Sequence, residues 1–73
     1  MNYTDIINEI TIEKDNIDNN ILLLSEVLSP DSKVLLFLDD EDKQLLMIEN
    51  TIMASFSNVM EARIREYNAK STT

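Results

Sequence analysis

The sequence predicts an all-α fold, either an antiparallel helical hairpin or a small three-helix bundle. Three observations lead there. The 73 residues include no glycine and a single proline, so tight turns needing positive φ have no natural carrier. Apolar residues recur at alternating spacings of four and three over two long stretches, which is the spacing of one helix face. The clearest interruption, Ser29-Pro30-Asp31-Ser32, lies between those stretches.

The first helix is expected over about residues 3–28. Thr4 is a candidate N-cap, and Asp5 places negative charge in the first turn, where the helix dipole favours it. Tyr3, Ile7, Ile10, Ile17, Ile21, Leu24 and Leu28 form one stripe that only Lys14 breaks, and Ile6 and Val27 widen it. The residue before a proline avoids helical geometry, so this helix should stop near Leu28 or Ser29. The turn occupies 29–32, with Ser29 as a cap and Pro30 suited to the first position of a following helix. So short a connection makes the flanking helices antiparallel neighbours.

Val34-Leu35-Leu36-Phe37-Leu38 is apolar on every side, and the acids Asp39-Asp40-Glu41-Asp42 follow it. A short helix over 31–38 is preferred, with a kink at the acids. A β-hairpin over 33–49 is the alternative, disfavoured because Leu and Met dominate and no Asn-Gly or Asp-Gly turn is present. The last helix is expected over about 41–69. Leu45, Ile48, Ile52, Phe56, Val59 and Ala62 mark one stripe, and Leu46, Met53, Met60 and Tyr67 recur beside it. Together they span roughly 160° of the helix surface. Arg63, Arg65 and Lys70 sit toward the end, where positive charge suits the dipole. Residues 71–73 are expected to fray. The whole chain is read as a single helical domain.

Composition narrows the chemistry. There is no cysteine and no histidine, which removes disulfides, thiolate and imidazole ligands, and the usual nucleophile–base pairs. No glycine-rich phosphate loop exists. Catalytic, cofactor-binding and metal-binding residues are therefore all expected to be absent, and the chain is not expected to be an enzyme. The acidic run 39–42 lacks the alternating ligands and the turn glycine of a calcium loop, and reads as a solvated helix start. Asp15 and Asp18, with Asn16, Asn19 and Asn20, form a polar island that reads as a solvated face or a weak point in the helix.

Net charge is −8, from 14 acidic and 6 basic residues. The first 50 residues carry a net −9, whereas residues 51–73 carry a net +1. Such a field disfavours direct nucleic-acid binding and favours a basic partner. No apolar stretch approaches the roughly 20 residues of a membrane span. The first residues lack the basic start and apolar run of a signal peptide, so a cytoplasmic location is expected. Asn2-Tyr3-Thr4 matches a glycosylation sequon, which without such a peptide reads as chance.

A core this small usually needs a staple, and another chain is the one left open. The sequence also carries more apolar surface than a hairpin hides: Ile12, Leu22 and Leu23 fall off the first stripe, and the last helix is too widely apolar for one neighbour. The expected partner is another protein, in a hetero-complex or a homodimer, held through apolar helix faces. Met47, Met53 and Met60 suit both a core and an adaptable binding surface.

The segment from Gln44-Leu45-Leu46-Met47-Ile48-Glu49-Asn50-Thr51-Ile52 through Ile64-Arg65-Glu66-Tyr67-Asn68 has a paired-leucine start, apolar positions every three to four residues and a basic-aromatic end. In this it resembles the long second helix of the small E-type co-chaperones of bacterial type III secretion needle subunits. The Ser29–Leu38 stretch departs from the simpler turn of that family. The resemblance implies a cytoplasmic protein that pairs with a tetratricopeptide-like chaperone and holds the needle subunit unpolymerised. The residues expected to meet the partner are Ile48, Ile52, Met53, Phe56, Val59 and Met60, with Arg63 and Tyr67 at the rim. A competing expectation is a phage or mobile-element inhibitor whose carboxylates take the place of nucleic-acid phosphates in a nucleic-acid-binding enzyme. A homodimeric four-helix bundle is a third.

Overall fold

In the computed structural model, which describes residues 2–72, the chain is an all-α helical hairpin. Helix α1 spans Tyr3–Val27, a 3-10 segment spans Lys33–Phe37, and helix α2 spans Asp40–Ser71. Among the described residues there is no strand, so the β-hairpin alternative over 33–49 is not what forms.

Each boundary has a local cause. Asn2, rather than Thr4, caps α1: its side-chain oxygen accepts the Asp5 N–H at 2.9 Å, satisfying one orphan donor of the first turn. At the other end the Leu28 N–H reaches Leu24 O at 3.0 Å, and the Ser29-Pro30 step then excludes helical geometry. Pro30 opens no helix; it sits in a turn closed by the Ser32 N–H to Ser29 O bond of 2.9 Å. Ser32, rather than Ser29, caps the 3-10 segment by accepting from the Val34 N–H. Leu38 is extended, and Asp39 caps α2 by accepting the Asp42 N–H at 2.8 Å. Asp40, Glu41 and Asp42 then fill the first turn of α2 and Lys70 its last, matching both ends of its dipole. No described residue takes positive φ. The connection uses only conformations open to ordinary residues, as a glycine-free chain requires.

Two helices meet along a heptad seam. The α1 side is the stripe from Tyr3 to Leu28, with Lys14 in it. The α2 side is Leu46, Asn50, Met53, Ser57, Met60, Ile64 and Tyr67, again alternating four and three, as antiparallel coiled-coil packing demands. Tyr3 and Tyr67 stack at the open end, with ring centroids 5.7 Å apart. Lys70 lies over the Tyr67 ring at 5.7 Å and pairs with Glu66 at 3.2 Å. The 3-10 segment packs against α1 at the other end.

The result is a rod of 53 × 18 × 15 Å, with a radius of gyration of 16.2 Å. A compact domain of this length would have about 11 Å. Among the described residues, Ile10 and Met60 are the only buried apolar side chains. The accessible surface is 5515 Å², against roughly 4,600 Å² for a monomer of this mass. The excess, about 900 Å², reflects the elongated shape of two helices lying side by side.

Candidate partner-binding face

The widest of those faces lies on α2. Leu45, Ile48, Ile52, Phe56 and Val59 are all exposed, Ile52 at 62% and Phe56 at 43%. At 100° per residue they fall within about 40° on either side of Ile52, and the seam side chains lie roughly 115° around the helix. Of the two stripes in the last helix, then, the one through Met53 and Met60 closes the hairpin. The one through Ile52 is left facing outward.

This divides the residues singled out in the sequence. Ile48, Ile52, Phe56 and Val59 share the exposed stripe, and Arg63 is exposed one turn beyond Val59. Met60 is fully enclosed in the seam. Met53 is half-buried there, beside Leu23, Leu24, Val27 and Leu46 around an open groove of about 350 Å³. Tyr67 is half-buried against Tyr3. Met53, Met60 and Tyr67 are therefore occupied by α1 in the closed hairpin.

Apolar side chains elsewhere are also open. Leu36 and Phe37 of the 3-10 segment are 81% and 86% exposed, and Ile12, Leu22 and Leu23 of α1 are about as open as Ile52. They are scattered around the rod by their spacing, whereas the α2 stripe is continuous over roughly 21 Å.

The middle of the seam is polar. Lys14 Nζ donates to Asp18 Oδ2 at 2.7 Å and lies 3.9 Å from Glu61. The Ser57 hydroxyl donates to Asp18 Oδ1 at 2.5 Å, tying α1 to α2. The bond from Lys14, followed by that from Ser57, holds the Asp18 carboxyl below its ordinary range, and the Asp18 bond likewise raises the Lys14 ammonium. Ser57 is itself buried. Asn50 Oδ1 is buried without a hydrogen-bond partner, a feature that weakens the seam. A partial signal for this cluster lay in the sequence, where Lys14 breaks the first stripe. The sequence carried no signal that Asp18 turns inward to a serine on the other helix.

A lowered carboxyl pKa stabilises the fold above the ordinary Asp value of about 3.9, and that contribution vanishes as pH falls through the folded value. The melting midpoint of Asp18→Asn should lie below that of the parent at pH 6–7. The gap should close as pH falls below the ordinary Asp value of about 3.9, followed by circular dichroism. A gap independent of pH would mean that Asp18 acts through shape and not charge.

Among the described residues, no group of three or more carboxylates is placed to hold a metal ion, and no helix is long and apolar enough to cross a membrane. Comparison with protein-family models, curated proteins and solved structures finds no match.

Proposed function

We propose that this chain is a protein-binding hairpin that keeps an assembly-prone helical partner apart, acting as a cytoplasmic co-chaperone of a type III secretion needle subunit together with a tetratricopeptide-like chaperone. One observation carries the reading: a continuous apolar stripe on α2 that the hairpin leaves uncovered. Subunits that polymerise through apolar helical faces are held back when such a face is covered, because a ligand that binds only the free subunit draws the equilibrium toward it. Ile48, Ile52, Phe56 and Val59 would form the centre of the contact and Arg63 its rim. Met53, Met60 and Tyr67 would take part only if the hairpin opened. No step of this role needs catalysis, a cofactor or a metal.

The concentration of acids in the first 50 residues favours a second reading, an inhibitor that occupies a phosphate-binding groove. The two differ thermodynamically. Mixing the purified chain with needle subunit and chaperone from the same organism should suppress needle polymerisation, with a negative heat-capacity change and modest salt dependence in calorimetry. Unaltered polymerisation would refute the co-chaperone role. Binding to a nuclease or polymerase that weakens steeply with salt would replace it with the inhibitor.

A further inference from the structure

The exposed stripe of α2 is palindromic. Leu45, Ile48, Ile52, Phe56 and Val59 are separated by three, four, four and three residues, so the spacing is the same read from either end. Four residues beyond each end, on the same line of the helix, stand Glu41 and Arg63. Both are exposed, and among the described residues neither belongs to an ion pair. A surface that is self-complementary about one point is what a two-fold dimer requires.

We propose that in the absence of its partner this face is closed by a second copy of the chain, with the two α2 helices antiparallel about an axis at Ile52. Ile52 then meets Ile52 of the second copy, Ile48 meets the other copy's Phe56, and Leu45 meets its Val59. The same register sets Glu41 of each copy opposite Arg63 of the other, so two ion pairs flank the apolar centre. A parallel pairing would place Glu41 against Glu41 and Arg63 against Arg63, and so is rejected by charge. Glu49, beside the stripe, falls opposite Ser55 and meets no like charge. The dimer would be a four-helix assembly with the α2 helices inside. It rests on the stripe being a binding face, as proposed above, and makes the second copy a competitor for that face: the hetero-partner binds only by displacing it.

Three measurements on the full chain test this. Sedimentation over about 1–200 µM should show a reversible dimer. Glu41→Arg and Arg63→Glu should each weaken it about tenfold, since each substitution breaks both flanking pairs, and the double variant should recover most of that loss. The chain has no cysteine, so Ile52→Cys introduces a single thiol at the axis. It should form a disulfide-linked dimer under mild oxidation far faster than Ile12→Cys, a control exposed on α1. A monomer throughout the range overturns the proposal. So does a dimer in which Ile52→Cys links no faster than the control and the double variant fails to recover. Needle subunit with its chaperone, added to the dimer, should dissociate it. Binding to a strictly monomeric chain would leave the chaperone role standing without the dimer. A dimer indifferent to those proteins would leave the dimer standing without that role.

Discussion

Replacing Ile52 by Asp should abolish capture of the proposed helical partner and leave the monomeric hairpin as helical as before. Ile52 sits at the centre of the exposed stripe and away from the seam, so the free hairpin keeps its seam packing. Surface changes of this kind usually move stability by no more than about 0.5 kcal/mol. In a complex the same position is desolvated, and an unpaired buried carboxylate costs on the order of 3–5 kcal/mol, enough to reduce affinity by more than about a hundredfold. Phe56→Ala should act more gently. Truncating a central aromatic anchor costs about 2 kcal/mol, or roughly thirtyfold in Kd. Titration calorimetry against the needle subunit and its chaperone, beside far-ultraviolet circular dichroism of each free variant, measures both halves. Unchanged affinity in Ile52→Asp would move the binding face elsewhere, with the exposed pair Leu36 and Phe37 the next place to look.

Met60→Ala should have the opposite profile, damaging the fold first. Met60 has 0% exposure and faces α1 in a core with one other buried apolar side chain, Ile10, among the described residues. Truncating a buried methionine costs about 2–5 kcal/mol, and a chain of this length is stable by only about 4–11 kcal/mol in total. The thermal midpoint should fall by at least about 10 °C. Met60→Leu keeps most of the volume and should cost less than about 1.5 kcal/mol. Phe56→Ala removes a larger side chain but a half-open one, so it should shift the midpoint less than Met60→Ala. Thermal melts of the three variants rank the sites, and a midpoint for Met60→Ala within about 3 °C of the parent would contradict its enclosed position.

The fold class was legible because helical spacing and the lack of glycine pointed the same way. Both stripes of the last helix were also legible. Which of them closes the hairpin was not. The stripe through Ile52 is the more apolar, with no polar residue between Leu45 and Val59 on its line, and hydrophobicity alone would send it inward. The structure instead uses Leu46, Met53, Met60, Ile64 and Tyr67, with Asn50 and Ser57 interleaved. The seam stripe keeps its four–three spacing from Leu46 to Tyr67 and ends where Tyr67 stacks on Tyr3, a match across two helices that one helix read alone does not display. That is why Met53, Met60 and Tyr67 stood with Ile52 and Phe56 in the sequence, and lie on a different face in the structure. The 3-10 segment was similarly ambiguous, because a run apolar on all sides carries no periodicity to read.

The polar layer in the seam has a mechanical consequence. Lys14, Asp18, Ser57 and Glu61, with Met60 at their level on α2, separate two greasy clasps, one around Ile10 and the stacked tyrosines, the other around Leu24, Leu46 and Met53. Each clasp releases for a fraction of the work of unfolding everything, and the loop end, with its unfilled cleft and the unsatisfied Asn50, is the looser. A rod fastened at two places, with a hydrogen-bonded tie between them, can yaw at one end while the other stays shut, and so follow the curvature of whatever lies along it.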